Sequence, residues 1–213
     1  MSVEISGSTR LAAVIGSPVR HSLSPALHNA AFDASGLDWR FVAFEVAPSG
    51  ASSALVAMRA LGIGGYAVTM PHKADMAAAV DEVDPAAATL GSVNTVVLRA
   101  DGSTLGASTD GAGFVGSVES SGFDLGGKRV VVLGAGGAAR SIVDALGRAG
   151  VAGVVVVNRT RSAAEQAVSL CEVASVGTTH DVDGADLLVN ATSIGMGSTD
   201  IPIDPTILRP DLA

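Results

Sequence analysis

Charge is scarce in this 213-residue chain: Asp, Glu, Lys and Arg make up 16% of it, and the balance is acidic, 13 Lys plus Arg against 21 Asp plus Glu. The net charge of -8 repels phosphate backbones and anionic membrane surfaces, which argues against nucleic-acid binding. Aromatic residues are scarcer still, at 3%, too few for a platform on which bases or sugars stack. The one cysteine, Cys171, cannot form an internal disulfide and points to a reducing compartment, the cytoplasm. The opening residues MSVEISGSTR lack the charged and apolar blocks of a secretion signal. Long apolar runs are missing as well. The most apolar stretch, Arg129 to Asn158, is interrupted by Arg140, Asp144, Arg148 and several glycines, so it never reaches the roughly 20 apolar residues of a membrane span. His21, His28, His72, His180 and Cys171 show no metal-ligand spacing, so no metal is expected and these histidines read as packing or surface residues.

What the chain does have is apolar content, 48%, enough to bury a sizeable interior. Valine- and isoleucine-rich runs alternate with alanine-rich amphipathic stretches, the signature of an α/β fold with a largely parallel sheet. The first series predicts a strand at Leu11 to Ile15 and a helix capped by Ser24, with Pro25 in its first turn and Gly36 as its stop. A strand Trp39 to Val46, a helix Ser52 to Leu61, a strand Tyr66 to Met70 and a helix after Pro71 follow. Ser92 to Arg99 and Thr104 to Ala107 flank Asp101-Gly102 and predict an antiparallel hairpin. A linking helix, Asp110 to Ser121, with Asp110 as its cap, places the domain boundary near residue 110. The second series predicts strand Arg129 to Leu133, a glycine loop, a helix to about Gly147, strand Val154 to Asn158, helix Ser162 to Leu170, and strands near Val173 to Val176 and at Asp186 to Asn190.

The glycine loop is the strongest motif. Arg129 to Leu133 empties into Gly134-Ala135-Gly136-Gly137-Ala138-Ala139, a G-x-G-x-x-A spacing that opens onto a helix. Glycines there let the N–H groups of a helix start approach a pyrophosphate, and small Ala139 lets helix and strand pack closely. A dinucleotide site is expected. At the end of the next strand an NAD enzyme usually places an acid on the ribose, but this chain has Asn158-Arg159-Thr160-Arg161. Arginine pairs with a 2'-phosphate where a carboxylate would repel it, so NADP is favoured.

Four polar clusters fall where strands of the first half end: His21-Ser22-Leu23-Ser24-Pro25, Thr69-Met70-Pro71-His72-Lys73, Ser92-Val93-Asn94-Thr95 and Ser108-Thr109-Asp110-Gly111. Ligands of open α/β sheets bind beyond the carboxyl ends of strands, and hydroxyls, an amide, an aspartate and a lysine suit a small polyhydroxylated acid. Lysine is scarce, Lys73 and Lys128 being the two in the chain, and a lysine near a helix start opposes the dipole there. Each residue also has a plainer reading: Ser24 and Asp110 as caps, Asn94 as a turn former.

In this order and spacing the clusters, with Gly16-Ser17-Pro18, the glycine loop, Asn158-Arg159-Thr160 and Asn190-Ala191-Thr192-Ser193, resemble the shikimate dehydrogenase family over nearly the whole chain. The resemblance implies an NADP-dependent reduction of 3-dehydroshikimate to shikimate in aromatic amino-acid biosynthesis. It implies a substrate-binding and catalytic domain at 1–109 and a Rossmann-type NADP-binding domain at 110–213. Ser22 and Ser24 would bind the substrate carboxylate. Thr69, Lys73, Asn94 and Asp110 would surround the ring oxygens, with Lys73 and Asp110 as the catalytic pair. Gly134, Ala135, Gly136, Gly137, Ala138, Asn158, Arg159 and Thr160 would hold the cofactor, and Thr192 and Ser193 would lie near its nicotinamide.

Ala67 and Ser108 stand where the family commonly has asparagine, which bears on substrate preference. Members also continue past Asp211-Leu212-Ala213 with a strand, a tyrosine and helices carrying a substrate-contacting glutamine, so a fragment of a longer reading frame is expected. The partner expected is a small-molecule substrate, and the state a monomer or homodimer. Two other readings stay open: a quinate or shikimate dehydrogenase that accepts NAD, and a non-catalytic NADP-binding module.

Overall fold

The computed structural model describes residues 4–195, 198–210 and 212–213; Met1 to Val3 of the N-terminal reading and Asp211 of the C-terminal one lie outside them. The chain divides into two compact units, Met1–Ser108 and Thr109–Ala213.

In the first unit the apolar runs become β1 (Arg10–Gly16), β2 (Trp39–Glu45), β3 (Gly65–Val68), β4 (Glu82–Val83), β5 (Thr95–Leu98) and β6 (Thr104–Ala107). They form one six-stranded sheet in the order β2-β1-β3-β5-β6-β4. All pairings are parallel except those of β5, which runs antiparallel to β3 and β6. The Asp101-Gly102 hairpin is therefore present, and Gly102 supplies its left-handed turn residue at φ +85. Because β1 is central, its side chains are buried on both faces. Ala13 and Ile15 join Leu55, Met58, Tyr66, Met76 and Val96 on one side, while Ala12 and Val14 join Val19 and Phe41 on the other. Completely burying a side chain such as Met58, 0% exposed, contributes about 1.5–3 kcal/mol.

The first face is covered by α2 (Ala51–Leu61), α3 (Lys73–Ala79) and α4 (Pro85–Leu90), the second by α1 (Ser24–Ala34). Helix α1 buries none of its residues fully. It is held instead by Asn29, whose amide both donates to the Phe41 carbonyl and accepts from the Phe41 N–H, each at 2.8 Å, and by His28 stacked on Phe41 with ring centroids 4.2 Å apart. Its cap differs from the sequence expectation. Leu23 is the N-cap with no side-chain bond, Ser24 is the first helical residue, and the Ser24 N–H donates to Ser22 Oγ. The serine outside the helix thus does the capping. β4 and α4 were not anticipated, although Asp84 caps α4 by accepting from the Ala87 N–H, Pro85 opens it and Gly91 closes it at φ +58.

In the second unit β7 (Arg129–Leu133), β8 (Gly153–Val157), β9 (Ala174–Val176) and β10 (Leu187–Asn190) form a fully parallel sheet in the order β10-β7-β8-β9. α6 (Gly137–Arg148) places Ala139, Ile142, Val143 and Leu146 against this sheet, the i, i+3, i+4, i+7 spacing of one helical face. α7 (Arg161–Val168) buries Ala164 and Ala167. α5 (Asp110–Ser120) leads into the unit. Its N-cap is Thr109 and Asp110 is its first helical residue, so the expected Asp110 cap is displaced by one position. An unanticipated 3₁₀ turn, Thr179–Gly184, crosses from β9 to β10.

Candidate active site

The common direction of β1, β3 and β6 and the antiparallel course of β5 bring three strand ends and one strand start to the same edge of the first sheet. The backbone there is closely tied. The Thr69 N–H donates to the Ile15 carbonyl at 3.0 Å, the Ser17 N–H to Met70 at 2.9 Å, the Val68 N–H to Asn94 at 2.7 Å and the Asn94 N–H to Ala107 at 3.0 Å. A Cβ on Gly16 would collide with the Thr69 methyl and lie 3.2 Å from the Met70 carbonyl oxygen, so a glycine is required for the two loops to meet.

Thr69 and Asn94 therefore sit side by side at this edge, half-buried. Lys73, also half-buried, is the first residue of α3, and its carbonyl accepts from the Val93 N–H at 3.0 Å. That bond ties the lysine's backbone to the residue before Asn94. Asn94 is further oriented by the Thr95 hydroxyl, which donates to its Oδ1 at 3.0 Å. Ser22 and Ser24 follow β1 at the same edge, joined by the bond from the Ser24 N–H to Ser22 Oγ. Hydroxyls, an amide and an ammonium thus cluster beyond the strand ends, a donor-rich set suited to an acidic polyol. Asp110 belongs to the second unit, where it opens α5 half-buried.

The second unit gathers its own set at the ends of β7, β8 and β10. Gly134 takes φ +109, and a Cβ there would lie 2.9 Å from the Ala191 carbonyl oxygen, so the loop crosses the end of β10 closely. Its N–H donates to the Val157 carbonyl at 2.8 Å, which locks the loop to β8. Gly136 is the N-cap of α6 and offers no side-chain acceptor, so the first-turn N–H groups, which have no intrahelical partner, lack a side-chain cap. Gly136 and Gly137 have nothing within 4 Å of an added Cβ. Uncapped donors in open space at a helix start form a cradle for a pyrophosphate.

At the end of β8 the Asn158 amide donates to the Thr160 carbonyl at 2.9 Å and shapes the turn on which Arg159 stands exposed. Arg161, the second candidate cation, is engaged: its Nε lies 2.9 Å from Glu165 Oε1, one helical turn on. At the end of β10, Asn190 Oδ1 accepts from the Thr192 N–H at 3.0 Å and the Thr192 hydroxyl at 2.7 Å, with exposed Ser193 beside it. A cleft of about 410 Å³ in this unit is lined by Arg129, Ser175, His180 and Asp183 among others and includes none of these residues. Among the described residues no group of His, Cys, Asp and Glu is arranged to hold a metal, and no helix is long and apolar enough to cross a membrane.

The comparisons agree with this geometry. The family model for the shikimate dehydrogenase substrate binding domain matches residues 14–96, and that for shikimate / quinate 5-dehydrogenase matches residues 117–199. The NADP(+) shikimate dehydrogenase of Moorella thermoacetica is 43% identical over 98% of this chain and 75% of its own length. This chain belongs to the shikimate dehydrogenase family.

Solved structures of the family share the architecture. The Thermus thermophilus shikimate 5-dehydrogenase, in complex with NADP(H) and shikimate, is 35% identical with a TM-score of 0.83, covering 93% of this chain and 74% of that one. A 5-ketofructose reductase of Gluconobacter is 32% identical with a TM-score of 0.88, covering 97% of this chain and 78% of that one.

His72, which the sequence reads as a packing or surface residue, is buried and also makes a long-range bond. It is 0% exposed, and its Nε2 lies 2.8 Å from the Val46 carbonyl oxygen. Its partner is 26 residues away, so no local pattern could have announced it.

Proposed function

We propose that this protein is an NADP-dependent oxidoreductase that interconverts 3-dehydroshikimate and shikimate in aromatic amino-acid biosynthesis. The observation that carries the reading is the uncapped, sterically open start of α6, followed by an exposed arginine at the end of the next strand, in a chain whose relatives are named for NADP(+) and shikimate. Residues 1–109 are the substrate-binding and catalytic domain and residues 110–213 the NADP-binding domain.

The donor set fits the cofactor. N–H groups from Ala135 to Ala138 would hold the pyrophosphate on the loop that Gly134 shapes, Arg159 with Asn158 and Thr160 would hold the 2'-phosphate, and Thr192 and Ser193 would hold the nicotinamide end. When bound, the reduced nicotinamide supplies the hydride for the ring ketone. Ser22 and Ser24 bind the substrate carboxylate, and Thr69 and Asn94 orient the ring hydroxyls. Lys73 Nζ donates to the ketone oxygen, stabilises the alkoxide as its charge grows and supplies or relays its proton. Asp110 is the second catalytic residue that the family resemblance implies. We place the enzyme in the cytoplasm because a single buried cysteine, Cys171, suits a reducing compartment; its proposed state is a monomer or homodimer.

Use of NAD is a second reading, favoured by the engagement of Arg161 with Glu165, which ties up one of the two exposed arginines after β8. The test is the appearance of reduced cofactor when shikimate or quinate is supplied with NADP+ or with NAD+. Shikimate with NADP+ is expected to be the best pair. Cofactor binding with no turnover of either acid would overturn the reading in favour of a binding module.

A further inference from the structure

The start of α3 is held by more than its own helix. A carbonyl oxygen only accepts, so the contact at 2.8 Å between His72 Nε2 and Val46 O places the imidazole proton on Nε2. Nδ1 is buried and has no hydrogen-bond partner among the described residues. One bond therefore sets the direction of the ring. Val46 is itself fixed, because its N–H donates to the Gly16 carbonyl at 3.1 Å. The backbone of His72 is fixed as well: its N–H donates to the Thr69 carbonyl at 3.1 Å, and its carbonyl accepts from the Met76 N–H at 2.8 Å. The next residue is Lys73, whose carbonyl takes the Val93 N–H. The imidazole thus links the end of β2 to the point where Thr69, Lys73 and the strand carrying Asn94 meet.

Resting on the function proposed above, we infer that His72 is the positioning residue of this site: its Nε2–H bond to Val46 sets where α3 begins, and so where the Lys73 ammonium stands relative to Thr69 and Asn94. The ring touches no substrate. It acts through the backbone of its neighbour, and displacement of a reacting group by about 1 Å can cost about 10²-fold in rate.

The test compares His72→Gln, whose amide nitrogen reaches about as far as Nε2, with His72→Asn, whose amide nitrogen reaches only as far as Nδ1, and with His72→Leu, which has no donor. Gln is expected to keep the wild-type kcat. Asn and Leu are expected to lower kcat by about one to two orders of magnitude, with the KM and Kd for NADP unchanged. Because the chain has two lysines, amine acylation read by mass spectrometry gives a measure independent of turnover, with Lys128 as internal reference. The Lys73 to Lys128 labelling ratio should shift in the Asn variant and hold in the Gln variant.

A wild-type kcat and labelling ratio in the Asn variant would overturn the inference, as would an equal loss in Gln and Asn. So would a fall in kcat that only follows a fall in melting temperature and cofactor affinity. Should His72→Leu fail to fold, the Asn and Gln pair decides. A wild-type chain that turns over neither acid would sink the function proposed above, and the labelling ratios would still decide the role of His72.

Discussion

A Cβ on Gly111 would collide with the carbonyl oxygen of Ser141 and would lie 2.8 Å from the Ala145 Cβ. Gly111 is therefore what lets α5 lie directly against α6, whose first turn carries the glycine loop. The glycine beside Asp110 has a packing reason of its own. Gly111→Ala should destabilise the protein by about 1–3 kcal/mol, the usual cost of overpacking. A lowered urea midpoint with an unchanged slope would show it.

Lys73→Ala should lower kcat by at least about 10²–10³-fold, the range seen when one donor to a developing oxyanion is removed. KM for shikimate should change far less, because the contact strengthens in the transition state. Steady-state kinetics with NADP+ and shikimate check this. An unchanged kcat would remove Lys73 from the chemistry.

Arg159→Ala should weaken NADP+ binding and leave NAD+ binding alone. A hydrogen bond to a charged group contributes about 1.5–3 kcal/mol, or roughly ten- to a hundredfold in Kd. Calorimetric titration of both cofactors gives the ratio, and equal losses for the two would show that the arginine does not read the 2'-phosphate.

Asp81 contributes to the acid response of the first unit. Its Oδ2 accepts from the Thr104 hydroxyl and the Thr104 N–H, both at 2.7 Å, and from Arg59 Nη2 at 2.5 Å. The Thr104 bonds first, and then Arg59, hold its pKa at about 2 against the ordinary 3.8. Between those values the unfolded chain binds a proton that the folded chain does not, so this stabilisation is complete above about pH 4 and fades as pH falls towards 2. Asp81→Asn should lower stability at neutral pH and flatten its dependence across that window. Urea midpoints at several pH values measure the effect.

Asn29→Asp would keep an acceptor for the Phe41 N–H but set a carboxylate oxygen against the Phe41 carbonyl. A loss of about 1–3 kcal/mol is expected, again read from the denaturation midpoint. α1 buries no residue fully, so it has little packing with which to offset that loss.

The parts of the molecule legible in the sequence were those whose signals are local. The run Arg129–Leu133 with its glycines announced β7 and the start of α6, and Asp101-Gly102 announced the hairpin. The exits of β1, β3 and β8 marked the candidate clusters. Where the sequence reading slipped, the deciding partner was distant or the pattern degenerate. Between the helix after Pro71 and Ser92 the alanine-rich sequence showed no second helix, although the Asp84-Pro85 cap of α4 was there to be read. Ser24 and Asp110 looked like caps, yet α1 and α5 start one residue earlier, with Leu23 and Thr109 in the cap positions. The engagement of Arg161 by Glu165 follows from helical spacing, but only once α7 is known to begin at Arg161.

Asp81, Thr104 and Arg59 cluster where β6 begins, at the end of the sheet opposite Thr69 and Asn94. That polarity separates durability from reactivity along a single set of strands. An engineer could harden the hairpin end, by shortening its turn or enriching its ion pairs, and leave turnover alone. On the function proposed above, changes at the opposite rim would alter substrate choice on an unaltered chassis.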